Sequence, residues 1–154
     1  MPKDLEGLTR VYLDSAEHHT ALDPLVYRIP SVEEIHARYL ARVAQQNLQV
    51  TLVALWDDEV VGLVDAQMLR SMDAMLRASY YCHVAELAVS REHRSQGVGE
   101  QLLKAAEEWG RQHGAEVVSL DFHIANVRAA RFYQERMGYR VTSNSALKAL
   151  IDLT

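Results

Sequence analysis

The sequence predicts a mixed α/β (α+β) fold: a twisted, mostly antiparallel sheet with helices on both faces. Three observations carry this. Two amphipathic helical stretches come first, with apolar residues recurring at helical spacing. Apolar runs from Gln49 to Trp56 and from Val60 to Met68 then flank a short polar turn, which reads as an antiparallel hairpin. Later, an apolar run ending at Val89 feeds a glycine-bearing loop, a helix and another apolar run. Such a β-α-β unit brings a parallel pair, joined by a right-handed crossover, into the sheet.

The chain has 154 residues, most simply one domain spanning 1–154, and is long enough to bury a core. Hydrophobic residues make up 49% and charged residues 24%, an ordinary globular balance. The net charge of −5 argues against nucleic acid as the main partner and suits a cationic substrate. Cys82 is the only cysteine, which excludes an internal disulfide and a multi-cysteine metal site. The N-terminus lacks the apolar centre of a signal peptide, and no apolar run approaches membrane-spanning length. A cytoplasmic protein with no membrane partner is expected.

The first helix is expected from Asp4 to His19, with Leu5, Leu8, Val11, Tyr12, Ser15 and Ala16 on one stripe. The adjacent pair His18-His19 points two ways and makes a poor joint metal site; cations also suit a helix C-terminus. Thr20 to Pro30 reads as an apolar loop that packs over something. Ser31 and Glu34 form a capping box for a second helix reaching about Gln45. The hairpin turns at Asp57-Asp58-Glu59, and Gly62 marks a bulge or a close backbone approach. Leu69 to Arg77 is a linker, followed by a long strand from Ser79 to Val89. A helix from Val98 to His113 stops at Gly114, and Glu116 to Phe122 makes a buried strand. Asn126 caps a helix that runs to Met137 and ends at Gly138. Two final strands, Tyr139 to Ser143 and Leu147 to Leu153, are expected around Ser143-Asn144-Ser145.

The loop after Val89 presents backbone N–H groups at a helix N-terminus, which suits a phosphate. A dinucleotide fingerprint fails because Leu102 stands where its third glycine belongs, and a P-loop fails because Glu100 follows Gly99. What remains is Arg94-x-x-Gly97-x-Gly99, followed later by Asn126-Val127-Arg128-Ala129-Ala130-Arg131-Phe132-Tyr133-Gln134-Glu135-Arg136-Met137-Gly138-Tyr139. Together these segments resemble the acetyl-CoA loop and the Asn-x-x-Ala-x-x-Phe-Tyr segment of the GNAT superfamily of acyl-CoA-dependent N-acyltransferases. The resemblance is close from about Tyr80 to Tyr139 and rests on element order elsewhere. One departure is that the family's first strand is absent or vestigial, leaving a sheet edge that another subunit would cover.

The resemblance implies transfer of an acetyl group from acetyl-CoA to a primary amine, on a small molecule or a protein, by direct attack in a ternary complex without metal. It implies a pyrophosphate site at Arg94, Ser95, Gln96, Gly97, Val98 and Gly99, and pantetheine contacts from the main chain of Leu87, Ala88 and Val89. Asn126 would combine helix capping with a pantetheine contact. Tyr133 would touch the cofactor and act as general acid toward the departing thiolate. Glu86, a carboxylate among apolar neighbours, is the expected base, with its pKa raised by partial burial. His83 and His123 are runners-up. Cys82 as a nucleophile is disfavoured, because the family usually transfers directly. The acceptor pocket is expected from the first two helices, the 20–30 loop and the 69–77 linker, with Tyr12, Tyr27 and Tyr39 as candidate lining. A homodimer is the expected assembly. The rival reading is a non-catalytic acyl-CoA-binding or regulatory module on the same fold.

Overall fold

The computed structural model describes residues 4–45 and 47–153. Its elements are α1 (Leu5–Leu22), α2 (Val32–Val43), β1 (Gln49–Trp56), β2 (Glu59–Arg70), β3 (Tyr80–Val89), α3 (Val98–Gln112), β4 (Val117–Leu120) and α4 (Val127–Arg131). Among the described residues the sheet has four strands in the order β1-β2-β3-β4. The first two pairings are antiparallel and β3–β4 is parallel, as the crossover requires. The first element is α1; the departure expected at Met1, Pro2 and Lys3 concerns residues outside those described.

The local chemistry accounts for the boundaries. Asp57 and Asp58 both adopt positive φ, 49° and 64°, while Trp56 pairs with Glu59. This is a two-residue hairpin turn whose twist matches its strands. The Ser31 side chain accepts from Glu34 N at 3.2 Å and the Glu34 carboxylate accepts from Ser31 N at 2.8 Å, completing the capping box of α2. Gly138 (φ 75°) closes the last helical segment, whose Phe132–Arg136 portion is π-helical.

Two cores sandwich the sheet. Leu5, Leu8 and Val11 of α1 and Ile35 and Tyr39 of α2 pack on Val60, Leu63 and Ala88. On the opposite face Val98, Leu102, Leu103 and Ala106 of α3 cover Val64, Ala66, Cys82 and Val84. Gly62 is the expected close approach: a Cβ there would lie 2.9 Å from Leu102 Cδ1 and 3.1 Å from the Ala88 carbonyl.

A bulge in β3 decides what the sheet presents. Glu86 pairs with Asp65, but Val84 pairs with Ala66, so Ala85 is an extra residue without a partner on β2. Strand side chains alternate faces, and one inserted residue reverses the alternation. Cys82 and Val84 therefore face α3, whereas Glu86 and Ala88 turn to the α1 side. Asp65, fully buried on that side, accepts from Thr51 Oγ1 (2.6 Å), Arg38 (3.0 Å) and the Tyr39 hydroxyl (3.3 Å). Arg42 lies 3.4 Å from Asp65 and donates to the carbonyls of Val50 and Ala66.

Several expectations are corrected. Helix α1 continues to Leu22, taking the first residues of the expected loop, and α2 ends at Val43. β4 is only four residues long, because its pairing with β3 stops at Val84–Leu120 and the two strands then part. The two final strands do not form: every residue from 140 to 153 is exposed and none is in a strand. An extended segment becomes a strand only where a neighbouring edge accepts its backbone groups, and this one lies beside none.

Candidate active site

The parting of β3 and β4 opens a cavity of about 910 Å³. It is bounded by the Ala85–Val89 end of β3, by Leu120, Asp121 and Phe122 after β4, by α1, and by the N-terminal ends of α3 and α4. From Ala85 onward the β4-facing side of β3 has no strand partner among the described residues. Leu87, Ala88 and Val89, the expected pantetheine contacts, all line this wall.

At the end of β3 the chain turns through a 3-10 turn, Arg91–His93, into the glycine loop. Arg94 Nε donates to the Val89 carbonyl at 3.2 Å, tying the loop to the strand end. Ser95 (φ 64°) and Gly97 (φ 83°) take left-handed conformations, and Gly97 is the N-cap of α3. Alternating backbone handedness of this kind turns successive N–H groups toward one point. A Cβ at Gly97 would meet nothing within 4 Å, so this glycine answers a backbone need and faces open space. Gly99 has φ outside the left-handed region and ordinary 3.7 Å contacts to Phe132 and Val89 around a would-be Cβ. Val98 is buried in the core, so only its main chain reaches the loop side, and the Gln96 side chain is absent from the cavity wall.

The cavity beside this loop is cationic. Arg94, Arg128 and His18 line it, and Arg128 donates to Ser95 Oγ. Burial, then repulsion from Arg128, lowers the pKa of Arg94; burial, then Arg94, lowers that of His18. A cluster that resists its own charge is one that a bound anion relieves. Convergent amides, a bare strand edge and this cluster together fit a pyrophosphate with an extended amide-bearing arm. Asn126 behaves as expected of a cap, accepting from Ala129 N at 3.1 Å, and also lines the cavity.

Glu86 and Tyr133 both line this cavity. Burial raises the Glu86 pKa above the usual carboxylate range, while a hydrogen bond from Ser15 and the proximity of His19 oppose the rise. Tyr133 is 9% exposed and packs against Phe122, with ring centroids 5.6 Å apart. Burial, then the Glu86 charge, pushes its hydroxyl up to about 12.

The runners-up fall away from the centre. His83 meets Ser119 Oγ at 3.0 Å and is absent from the cavity wall. His123, expected in the cleft, is held instead by Asp23 at 2.9 Å behind the Tyr27 ring. Cys82 is fully buried beneath α3, its pKa raised to about 11 by burial. Tyr12 and Tyr27 line the cavity as expected; Tyr39 is buried against Asp65, and no residue of the 69–77 linker reaches the wall. Ser15, His18 and Arg128 belong to the site and were not singled out for it by sequence. Only the position of Arg128 in the first turn after Asn126 hints at its role.

Residues 16–139 match the profile of the acetyltransferase (GNAT) family. The chain belongs to the GNAT family. Among GNAT relatives, it is 36% identical over 112 residues to an aminoalkylphosphonate N-acetyltransferase of Salmonella typhimurium, covering 73% of this chain and 70% of that one. It is 28% identical over 109 residues to N-alpha-acetyltransferase 30 of Schizosaccharomyces pombe, covering 70% and 69%. The fold superposes on aminoglycoside N-acetyltransferase AAC(6')-Iy in complex with CoA with a TM-score of 0.75, at 19% identity over 94% of this chain and 87% of that one. A Bacillus halodurans protein superposes with a TM-score of 0.83, at 19% identity over 97% and 95%. As a GNAT enzyme the protein is an acetyl-CoA-dependent N-acetyltransferase. Among the described residues no cluster of three His, Cys, Asp or Glu side chains is arranged to hold a metal, and no helix is long and apolar enough to cross a membrane.

Proposed function

We propose that residues 1–154 form one acetyltransferase domain that acetylates the primary amine of a small molecule by direct attack in a ternary complex. The carrying observation is the bulge that places Glu86 on the same cavity as Tyr133 and the glycine loop. Acetyl-CoA supplies an acyl carbon activated as a thioester. The loop from Arg94 to Gly99 holds its pyrophosphate through main-chain N–H groups, and Arg94 and Arg128 add charge. Leu87, Ala88 and Val89 offer main-chain groups to its arm, with Asn126 opposite.

Glu86 takes the proton that the attacking amine must lose, and its raised pKa matches it to that task. Tyr133 gives a proton to the sulfur as the carbon–sulfur bond breaks; a hydroxyl titrating at about 12 is fully protonated at neutral pH and ready to donate. The acceptor enters past Tyr12, Tyr27 and His19. A cavity of about 910 Å³ that must also admit the donor arm leaves room for a small amine. The aminoalkylphosphonate-acting relative puts amines of that class first among acceptors to try.

The proposed site of action is the cytoplasm, supported by the lone unpaired Cys82, and the proposed assembly is a homodimer. CoA-thiol release across a panel of small amines, aminoalkylphosphonates included, tests the activity. Amine-dependent release supports the reading. Acetyl-CoA binding with no release for any amine would favour the rival non-catalytic module.

A further inference from the structure

The turn between α1 and α2 is tied to the segment that follows β4. His123 Nε2 lies 2.9 Å from Asp23 Oδ2, a contact that spans 100 residues of sequence. The Ala125 N–H donates to His123 Nδ1 at 3.1 Å, so the ring hydrogen sits on Nε2 and is donated to the carboxylate. The other carboxylate oxygen, Asp23 Oδ1, accepts from Leu25 N at 3.2 Å. The main chain of Asp23 is used as well. Its N–H donates to the His19 carbonyl at the end of α1, and its carbonyl accepts from Tyr27 N, both at 3.0 Å. The Tyr27 ring touches both histidines, with centroids 5.1 Å from His19 and 5.9 Å from His123. His19 and Tyr27 line the cavity, and His123 backs Tyr27.

We infer that Asp23 and His123 form a positioning clamp, which sets the affinity for the acceptor amine by holding Tyr27 on the cavity wall. Apolar burial does little to hold this turn down, since Leu25, Val26 and Ile29 are 65%, 41% and 51% exposed. Nearer α2 the turn is anchored by Arg28 on Glu34, but those side chains are 71% and 50% exposed, and an ion pair in water contributes little. The Asp23 and His123 side chains are 26% and 20% exposed, so their charge-assisted hydrogen bond is less screened and stronger. The clamp also adjoins the donor half of the site. The His123 carbonyl accepts from Asn126 N at 2.8 Å, and Asn126 caps α4 at the cavity. That second link is main-chain and survives a change of side chain. Loss of the clamp therefore weakens the hold on the acceptor and spares the hold on CoA.

The clamp rests on the proposed entry of a small amine past Tyr12, Tyr27 and His19, and the experiment separates the two. Four variants of the full chain are compared with wild type. His123→Phe keeps a ring against Tyr27 and removes the donor. His123→Gln removes the ring and keeps an N–H for Asp23. Asp23→Asn leaves one oxygen for two donors, and the fourth variant combines Asp23→Asn with His123→Phe. Each is measured by kinetics with the amine that gives most CoA-thiol release, by thermal shift with CoA, and by hydrogen exchange of the amides of residues 25–29. His123→Phe and Asp23→Asn are each expected to raise the amine KM about tenfold and to speed that exchange, with kcat and the CoA shift unchanged. The double variant should be no worse than either single one, and His123→Gln should keep the wild-type KM. A retained CoA shift shows that a variant is folded. Unchanged exchange at 25–29 in His123→Phe, or a faster exchange with an unchanged amine KM, overturns the clamp. An equal rise of KM in His123→Gln assigns the effect to ring packing and overturns it too. Release of no CoA thiol with any amine overturns the small-amine reading and leaves the clamp to be judged by the exchange result.

Discussion

Ser15 Oγ donates a 3.0 Å hydrogen bond to Glu86 Oε1, joining α1 to the bulged strand across 71 residues of sequence. The bond sits in a chain of contacts: His19 Nδ1 lies 2.8 Å from the Ser15 carbonyl, to which it donates, and the Tyr27 ring lies 5.1 Å from the His19 ring. A donor aimed at a carboxylate stabilises its ionised form. Ser15 thus restrains a pKa that burial drives upward.

Glu86→Gln is expected to lower kcat/KM on the order of 10²- to 10⁴-fold and to abolish the rise of rate with pH through the carboxyl's raised pKa. Ser15→Ala should move that rise to higher pH while sparing the plateau rate. The stability sign runs the other way. A carboxyl whose folded pKa lies above its unfolded value contributes stability at low pH that is lost as pH rises through the folded value. Glu86→Gln should therefore gain stability relative to wild type as pH rises, measured as the difference in Tm across a pH series. Equal pH–rate profiles for wild type and Glu86→Gln would remove Glu86 as the base.

Tyr133→Phe is expected to slow turnover on the order of 10²-fold while leaving the CoA-induced rise in Tm unchanged. Its ring keeps the packing against Phe122 and Tyr139, so the loss isolates the hydroxyl. An unchanged kcat would exclude it from proton transfer.

Gly97→Ala forces a Cβ onto a left-handed residue at φ 83° and should cost roughly 1–2 kcal/mol in loop strain. Read as CoA affinity, such a strain is about a tenfold loss. Gly99→Ala meets only ordinary contacts and should weaken binding less; isothermal titration with CoA compares the two.

Cys82→Ser should retain the wild-type rate, since the thiol lies in the core and is held protonated by burial. Gly110→Ala is the opposite case. Its Cβ would stand 2.5 Å from Cys82 Cβ, an overlap expected to cost about 1–3 kcal/mol in urea unfolding without changing the chemistry.

Asp65→Ala should be the most destabilising of these changes, at about 3–5 kcal/mol, because it strands Arg42 and Arg38 beside a vacated acceptor. Urea unfolding reads it directly. A loss below about 1 kcal/mol would mean that water replaces the carboxylate.

What was legible in the sequence was local. The capping box, the hairpin, the glycine loop and the Asn126 cap each depend on residues within a few positions of one another, and all stand where expected. What escaped depends on pairing at a distance. Ser15 meets Glu86 only because a bulge turns that carboxylate toward α1. Asp65 reads as an ordinary polar residue in a strand until Arg38, Tyr39 and Arg42 of α2 arrive over it. The two C-terminal strands were misjudged because apolar residues and turn residues report a segment's suitability for a sheet, and not whether an edge stands beside it.

The inserted residue at Ala85 works as a frameshift written into the pleat. Before it, even-numbered positions of β3 face α3; after it, the same parity faces the α1 side. Were the bulge straightened with Ala85 kept, regular pairing would set Ala85 opposite Asp65 and Glu86 opposite Val64, turning the carboxylate of Glu86 toward the apolar layer beneath α3. The side of the sheet that Glu86 faces is in that sense stored as a count of residues along one strand.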